Sequence, residues 1–415
     1  LKDFIVPMGV TRRGGTPVAK VLISGYYGFS NAGDEAMLTA IVDSLKREAP
    51  DTVITVISGH PRSTCALHDV KSIGRFDFPA ILRAMAGTDL LLSGGGSLLQ
   101  NVTSHFSLFY YLSIIALGVI MRKKVMLFAQ GIGPIKGCFS RFLTRFVCRH
   151  ADLITVRDDG SLDDLCEMGF ERKDILVTSD AVFSLPDGNR KVGEVILRGM
   201  GIDPERPVIG FALRHWKGED RFIPEFARAA DGLKAAFGAQ ILFVPFQFPS
   251  DREVSDAVLG QMENSRDVFI LPRKLSTKEY LDLMASLRLL VGMRLHALVF
   301  AALAGVPFMA VSYDPKVDRF VDGMKGTVVD TIDAITAGEI VSLADSMPAD
   351  SGAQEASELA ALRKEARSNI LRALALMHES NEKRSGSHAR NETCQQDLSW
   401  RSRCTPGREC SYQAR

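Results

Sequence analysis

Short apolar runs alternate with amphipathic stretches along most of the chain. In the first half the apolar runs are "AKVLIS", "TVITVISG", "TDLLLSG", "KKVMLFAQ", "ADLITV" and "DILVTS". They are largely unalternating, which is typical of strands buried on both faces of a parallel sheet. Between the first two, Met37, Ile41 and Leu45 recur at helical spacing. The pattern predicts a first α/β domain over residues 18–185.

The same alternation resumes after a segment richer in glycine, proline and charge, "SLPDGNRKVGEVILRGMGIDPERP". The runs "PVIGFALR", "QILFVPFQ", "DVFILP", "RLLVG" and "PFMAVSY" predict the strands of a second α/β domain over 205–345. Ser250 with Glu253, and Ser276 with Glu279, have the spacing of capping boxes at helix starts. Strands separated by helices imply right-handed crossovers and another parallel sheet.

These two patterns predict an α/β fold of two Rossmann-like domains with parallel sheets. Ligands of such sheets bind beyond the carboxyl ends of the strands, so the active site is expected in the cleft between the domains. A segment rich in Ala, Leu, Glu and Arg predicts a C-terminal helix over 350–378. Residues 379–415 are polar, arginine-rich and without periodicity, which predicts disorder and leaves open whether this tail is native.

Composition narrows the class of protein. The chain has 415 residues, a net charge of +1 and 46% hydrophobic residues, which fits a soluble protein of two domains. A charge so close to neutrality argues against nucleic-acid binding, which needs a concentrated basic face. The seven cysteines show no C-x-x-C spacing, and no ligand cluster predicts a metal site.

Location is predicted from two further segments. The start of the sequence lacks a signal-peptide pattern, so we expect a cytoplasmic protein. The run "FSLFYYLSIIALGVIM" is short for a membrane span and predicts a buried helix. Peripheral contact with the inner face of the cell membrane, through Arg122, Lys123 and Lys124, stays open.

Three glycine-rich turns follow strands of the first domain: "SGYYGFSNAGDEA", "LLLSGGGSLLQN" and "FAQGIGPI". Glycine lets the backbone approach a ligand, and a helix N-terminus offers free N–H groups to an anion. None of the turns is a dinucleotide fingerprint or a Walker loop, so no nucleotide cofactor is predicted. The residues predicted to bind substrate at this edge are Gly25, Asn31, Asp34, Gly94, Gly95, Gly96, Gln100, Asn101 and Gln130.

Charged side chains follow three strands of the second domain, in "GFALRHWK", "LLVGMRLHA" and "SYDPKV". Arginine binds a carboxylate or phosphate through two parallel hydrogen bonds, and histidine exchanges protons near neutral pH. We therefore predict that Arg214 and Arg294 hold an anionic substrate and that His296 supplies a proton. A structural histidine and a solvent-facing arginine are the alternative. The further residues predicted to bind substrate here are His215, Leu295, Asp314 and Lys316.

Five motifs occur together and in one order: "GYYGFSNAGDEA", "SGGGSLLQ", "AQGIGP", "GMRLHA" and "SYDPK". In this combination, over about 18–345, the chain resembles the polysaccharide pyruvyltransferases, specifically the bacterial CsaB-type group. The resemblance implies a GT-B-like arrangement of the two domains. It also places the family's arginine–leucine–histidine motif on Arg294, Leu295 and His296, and a second donor-binding arginine on Arg214.

The resemblance further implies a reaction, in which the pyruvyl group of phosphoenolpyruvate forms a cyclic ketal with two hydroxyls of a sugar. The implied acceptor is N-acetylmannosamine in a lipid-linked cell-wall polysaccharide, whose ketal is bound by S-layer-homology domains. Phosphoenolpyruvate is the donor substrate, and no cofactor is implied. Our hypothesis is that His296 is the general acid; the acceptor base stays open between Asp34 and His105. A GT-B nucleotide-sugar glycosyltransferase and a non-catalytic glycan-binding module remain the alternatives.

Overall fold

The computed structural model describes most of the chain as two parallel-sheet units. The residues it describes are 18–102, 104–324, 327–347 and 357–379. Two predictions lie partly outside these residues. They are the C-terminal helix over 350–356 and the disordered tail over 380–415.

The first sheet has seven parallel strands in the order β3-β2-β1-β4-β5-β6-β7. The strands are β1 (Lys20–Ser24), β2 (Val53–Ser58), β3 (Lys71–Gly74), β4 (Leu90–Gly94), β5 (Lys124–Gln130), β6 (Leu153–Val156) and β7 (Ile175–Val177). The helices are α1 (Ala32–Glu48), α2 (Pro61–His68), α3 (Phe78–Gly87), α4 (His105–Ile120), α5 (Cys138–Cys148) and α6 (Asp159–Glu167). All six predicted strands are confirmed. Strand β3 was not predicted, because "KSIG" is short and only partly buried.

The second sheet has six parallel strands in the order β10-β9-β8-β11-β12-β13. The strands are β8 (Val208–Ala212), β9 (Gln240–Phe243), β10 (Val268–Ile270), β11 (Leu289–Gly292), β12 (Phe308–Ser312) and β13 (Thr327–Thr331). The helices are α7 (Arg190–Gly199), α8 (Glu219–Phe237), α9 (Ser250–Leu259), α10 (Thr277–Met284), α11 (Leu295–Leu303), α12 (Pro315–Met324) and α13 (Ala337–Ser346). The five predicted strands are confirmed, and β13 is added to them.

The two predicted capping boxes have different outcomes. Ser276 caps α10 in a full capping box with Glu279, as predicted. At α9 the prediction is wrong, because Pro249 occupies the N-cap position and no side chain caps the helix. Instead the carboxylate of Asp251, in the first turn, accepts hydrogen bonds from two preceding backbone N–H groups. This folds the residues before α9 tightly against the helix start.

The two sheets share one apolar core. A single cluster of buried side chains includes Ile41 of α1, Leu281 of α10 and Phe300 of α11. Each fully buried side chain of this kind contributes about 1.5–3 kcal/mol relative to its exposed state. The two units are therefore held together by apolar packing of α1 against α10 and α11, which fixes the relation between their strand ends.

The last described helix, α14 (357–379), returns to the first sheet. Asn369 is buried and donates from its amide nitrogen to the hydroxyl of Thr178 at 2.9 Å. The hydroxyl of Ser179 donates to the carbonyl of Leu362 at 2.5 Å. Within the described residues the predicted C-terminal helix is thus present, and it holds the segment that follows β7.

Helix α4 contains the run considered for a membrane span. One face of this helix packs in the protein interior, where Tyr111 is buried. Among the residues that the structure describes, no helix is long and apolar enough to cross a bilayer. The basic side chains that follow it are engaged: Lys123 donates to the carbonyl of Ala86 at 2.7 Å, and Lys124 pairs with Asp152 at 2.9 Å. The membrane contact considered for this segment stays a prediction.

Candidate active site

A cavity of about 650 Å³ lies between the carboxyl ends of the two sheets. Strand order reverses at β1/β4 in the first sheet and at β8/β11 in the second, and side chains that follow all four strands reach the cavity. Such reversal points are where doubly wound sheets bind ligands. The polar and charged residues that line it include Asn31, Asp34, Arg75, Ser97, Gln100, Arg157, Arg214, Gln247, Arg294, His296 and Lys316.

The turn after β1 directs the start of α1 at this cavity. Asn31 caps the helix, since its side-chain oxygen accepts from the N–H of Gly33 at 3.0 Å. On the neighbouring turn, Gly96 has a φ of +77° and also lines the cavity. A side chain at that glycine would meet the carboxylate of Asp34. The glycines of these turns thus leave room for Asp34 and bare backbone at the edge of the site, as the sequence predicted.

Asp34 has an unusual protonation equilibrium. Burial raises the pKa of its carboxyl group to about 7; the neighbouring His296 opposes the rise, and the charges of Glu35 and Asp180 add to it. A carboxyl group with a pKa near the working pH accepts and returns protons efficiently. Asp34 is one of the two candidate bases predicted from the sequence, and this pKa suits that role.

His296 crosses from the second unit to the first. It lies in the first turn of α11, and its ring packs on Gly33 of α1, where a side chain larger than hydrogen would overlap it. Its Nε2 atom is buried, 3.6 Å from the carboxylate of Asp180. Burial raises the pKa of Asp180, but the adjacent His296 and Arg157 outweigh that effect and lower it. The carboxylate of Asp180 consequently stays ionised beside the imidazole ring.

Arg294 reaches the cavity already paired. Its Nε donates to the buried carboxylate of Asp251 at 2.9 Å, and its Nη2 bonds the same carboxylate and the side chain of Gln247. Because two nitrogens are engaged, Nη1 is the guanidinium nitrogen that these partners leave for a ligand. The sequence predicted the arginine but not this support, since Asp251 lies more than forty residues earlier in the chain.

Two further cations belong to the site. Arg157 follows β6, donates to the hydroxyl of Ser97 at 3.0 Å and is only 8% exposed. Lys316 follows β12, is paired with Asp314 at 3.1 Å, and was predicted. Arg157 was missed, although its place directly after "DLITV" is the signal that identified the other strand-end residues.

Arg214 lines the cavity beside aromatic rings. Its guanidinium lies 4.7 Å from the ring centre of Tyr313 and 5.4 Å from that of Trp216, and its Nη1 donates to the Tyr313 hydroxyl at 2.8 Å. The adjacent His215 differs from expectation. It is exposed, it is ion-paired with Glu219 and Glu253, and it does not line the cavity. After β8, the side chain of Arg214 therefore faces the cleft and that of His215 faces solvent.

Several other residues predicted to bind substrate have structural contacts instead. Gln130 is fully buried, with its amide nitrogen 3.4 Å from the Ser93 hydroxyl. Asn101 is buried and exchanges hydrogen bonds with the backbone of Lys136. Neither residue lines the cavity, so the structure does not place these two predicted residues at the candidate site. The same holds for Gly25, Gly94, Gly95 and Asp314.

Aromatic side chains form the outer rim of the cavity on the first unit. Tyr26, Phe76 and Phe106 line it together with Arg75. The guanidinium of Arg75 lies 4.8 Å from the ring centre of Phe76 and 4.6 Å from that of Tyr110, and its buried Nε has no hydrogen-bond partner. The sequence analysis missed this group, because the rings come from three separate segments.

Metal ligands are not grouped in the described part of the chain: it contains no set of three or more His, Cys, Asp or Glu placed to hold an ion.

Comparison with solved structures defines the class of fold. A Listeria monocytogenes protein assigned as a UDP-N-acetylglucosamine 2-epimerase matches with a TM-score of 0.62 and 13% identity, over 88% of this chain and 98% of that one. The UDP-GlcNAc 2-epimerase of Methanocaldococcus jannaschii matches with 0.60 and 11%, over 86% and 99%. Anabaena HepE, solved with UDP-glucose, matches with 0.55 and 13%, over 88% and 99%. The chain therefore has the GT-B-like architecture of two parallel-sheet α/β domains, as predicted.

Comparison of the sequence with known families shows which family the chain belongs to. No curated protein matches the chain. The sequence model of the polysaccharide pyruvyl transferase family matches residues 31–315, more than two thirds of the chain. The chain belongs to this family and is a transferase.

Proposed function

We propose that the protein is a CsaB-type pyruvyltransferase, which transfers the pyruvyl group of phosphoenolpyruvate to a sugar and forms a cyclic ketal. One observation carries the proposal: four cationic side chains, an Asp-supported histidine and an aspartic acid with a pKa of about 7 converge on one cavity. The four cations are Arg157, Arg214, Arg294 and Lys316. They match a small donor that carries both a carboxylate and a phosphate.

The cations have distinct roles in this scheme. Arg157 and Lys316 come from different units and both line the cavity, so we assign the phosphate to them. Arg157 is also paired with Asp180 at 3.4 Å, and Lys316 with Asp314 at 3.1 Å. Arg294, held by Asp251, presents its remaining Nη1 to the carboxylate. Arg214 balances negative charge that develops as phosphate leaves. Preorganised cations of this kind stabilise a charged transition state without reorganisation.

The proton steps balance with two ionisable groups. His296 protonates the methylene carbon of phosphoenolpyruvate, while the first sugar hydroxyl attacks the neighbouring carbon and gives its proton to Asp34. The C–O bond to phosphate then breaks, and the second hydroxyl closes the ketal ring. One hydroxyl proton restores the acid, and the other leaves with phosphate. Asp180 stays ionised and lies 3.6 Å from Nε2 of His296, where it helps to orient the ring.

The acceptor is proposed to enter past the aromatic rim. Sugar rings stack their C–H faces on aromatic side chains, and Tyr26, Phe76 and Phe106 offer such faces next to Asp34. We propose N-acetylmannosamine of a lipid-linked cell-wall polysaccharide precursor as the acceptor, with the ketal serving S-layer anchoring. The enzyme would then work at the cytoplasmic face of the cell membrane.

A direct assay tests the proposal. The full chain is incubated with phosphoenolpyruvate and a synthetic glycan that ends in N-acetylmannosamine. We expect release of inorganic phosphate that depends on the glycan, and a product with the mass of a pyruvate ketal. A matched glycan whose terminal sugar has all but one of its hydroxyls methylated should yield no ketal, because the ring cannot close.

The competing activity is tested in parallel. A nucleotide-sugar glycosyltransferase of the same architecture would consume a UDP-sugar and leave phosphoenolpyruvate untouched. Glycosyl transfer from a UDP-sugar to the glycan, without phosphate release from phosphoenolpyruvate, would refute the proposal. Binding of the glycan with neither reaction would identify a binding module.

A further inference from the structure

Helix α5 exposes large aromatic side chains although it buries two hydroxyl-bearing residues. Ser140 and Thr144 face the interior and are buried, whereas Phe139, Phe142 and Phe146 point outward and are 48–68% exposed. Apolar side chains at i, i+3 and i+7 normally form the buried stripe of a helix. Three large exposed aromatics on one helix face therefore mark a contact surface rather than a core.

The exposed rings continue along the molecule to the cavity. The ring centres of Phe139 and Phe109 are 6.2 Å apart, which joins α5 to α4. One turn earlier on α4, Phe106 lies 6.5 Å from Phe76, and both rings line the active-site rim. We call the four residues Phe109, Phe139, Phe142 and Phe146 the aromatic surface, which adjoins the rim at Phe106.

The charge around the aromatic surface has a single sign. Residues 90–151, which contain α4 and α5, include seven Lys or Arg and no Asp or Glu. Arg145 and Arg149 are exposed on α5 itself, and Arg149 lies 5.2 Å from the ring centre of Phe146. In a chain whose net charge is +1, this is a strong local excess. An anionic partner is favoured, because an anionic lipid surface attracts basic residues that lie near it.

We propose that the aromatic surface docks the enzyme on an anionic lipid bilayer, with the rings at headgroup depth and the active-site rim facing the membrane. Exposed aromatics beside basic residues are the composition of segments that lie in the membrane interface. A second copy of the chain is disfavoured, because a twofold interface would place the same basic segment against itself. The purpose of this docking rests on the proposed function: it brings the cavity to a lipid-linked acceptor.

Vesicle binding by the full chain tests the proposal. Sedimentation is measured with phosphatidylcholine vesicles, with and without phosphatidylglycerol. We expect binding only with phosphatidylglycerol, and weaker binding as salt rises. The triple variant Phe139→Ser/Phe142→Ser/Phe146→Ser should lose affinity about tenfold or more. The double variant Val192→Ser/Val195→Ser, which alters exposed apolar residues of α7, is the matched control and should bind like the wild type.

A charge variant keeps the test decisive if the triple variant fails to fold. Arg145→Glu/Arg149→Glu should weaken binding to phosphatidylglycerol vesicles and leave phosphate release with a soluble glycan within about twofold of the wild type. No vesicle binding by the wild type, or equal binding by these variants, would overturn the proposal. Wild-type dimers that the triple variant converts to monomers would assign the surface to self-association instead. Pyruvyl transfer without vesicle binding would refute only the docking, and the reverse only the function.

Discussion

At the scale of single residues, two histidines follow strands of the second sheet, and only one of them reaches the cavity. His296 lies between Gly33 and Asp180, whereas His215 is exposed and paired with glutamates. Replacing His296 by Ala should lower kcat by about 10²–10⁴-fold, because protonation of the methylene carbon loses its acid. Replacing His215 by Ala should change kcat less than about twofold. Phosphate release in steady state measures both; comparable losses in the two variants would remove the distinction.

Asp34 predicts a pH dependence. As a base it must be ionised, so the rising limb of kcat/KM should have its midpoint near pH 7, the pKa to which burial raises this carboxyl. The variant Asp34→Asn should lose about a hundredfold in kcat/KM and this rising limb with it. Asp43→Asn, an exposed change on the same helix, should keep the limb. A pH profile that Asp34→Asn leaves unaltered would exclude Asp34 as the base.

The same group predicts a stability effect of opposite sign. Its pKa is higher in the folded state than the usual 3.8, so the folded protein binds the proton more tightly and loses stability as pH rises from about 4 to 7. Asp34→Asn removes this penalty. Its unfolding free energy should exceed that of the wild type at pH 8 by on the order of a few kcal/mol, with no such gap near pH 4. Urea denaturation at the two pH values provides the measurement.

At the scale of elements, the start of α9 positions Arg294. Asp251 is fully buried and accepts from Arg294 and from the N–H groups of Phe246 and Gln247. Asp251→Asn leaves the arginine without its counter-charge, so the free energy of unfolding should fall by about 3–5 kcal/mol. The KM for phosphoenolpyruvate should also rise. Asp282→Asn, another buried carboxylate paired with Lys278 outside the cavity, should destabilise without that rise in KM.

The elements also show how far the sequence could predict the site. The strands and their ends could be predicted, because buried parallel strands are continuous apolar runs and their carboxyl ends share one edge of the sheet. The sequence could not show which strand-end side chain turns inward, as His215 and His296 demonstrate. Asp251 and Arg75 act through partners on other elements, so only the folded chain brings them to the site.

At the scale of the whole molecule, both units contribute to donor binding, so the donor should stabilise them together. Phosphoenolpyruvate at a hundred times its dissociation constant should add about 2.7 kcal/mol to the free energy of unfolding. The gain should shrink in Arg157→Met, which removes a cation of the first unit, and persist in His215→Ala. Thermal denaturation with and without the ligand measures it. An equal gain from UDP-glucose would contradict the donor assignment.

The return of α14 to the first unit has a practical consequence for anyone who shortens the chain. Its hydrogen bonds hold Thr178 and Ser179, the two residues directly before Asp180. A stop codon placed ahead of residue 362 would therefore disturb the partner of His296 from a distance, even though every cavity-lining residue were retained. Expression plasmids for this enzyme should keep that helix intact and carry any affinity tag beyond it.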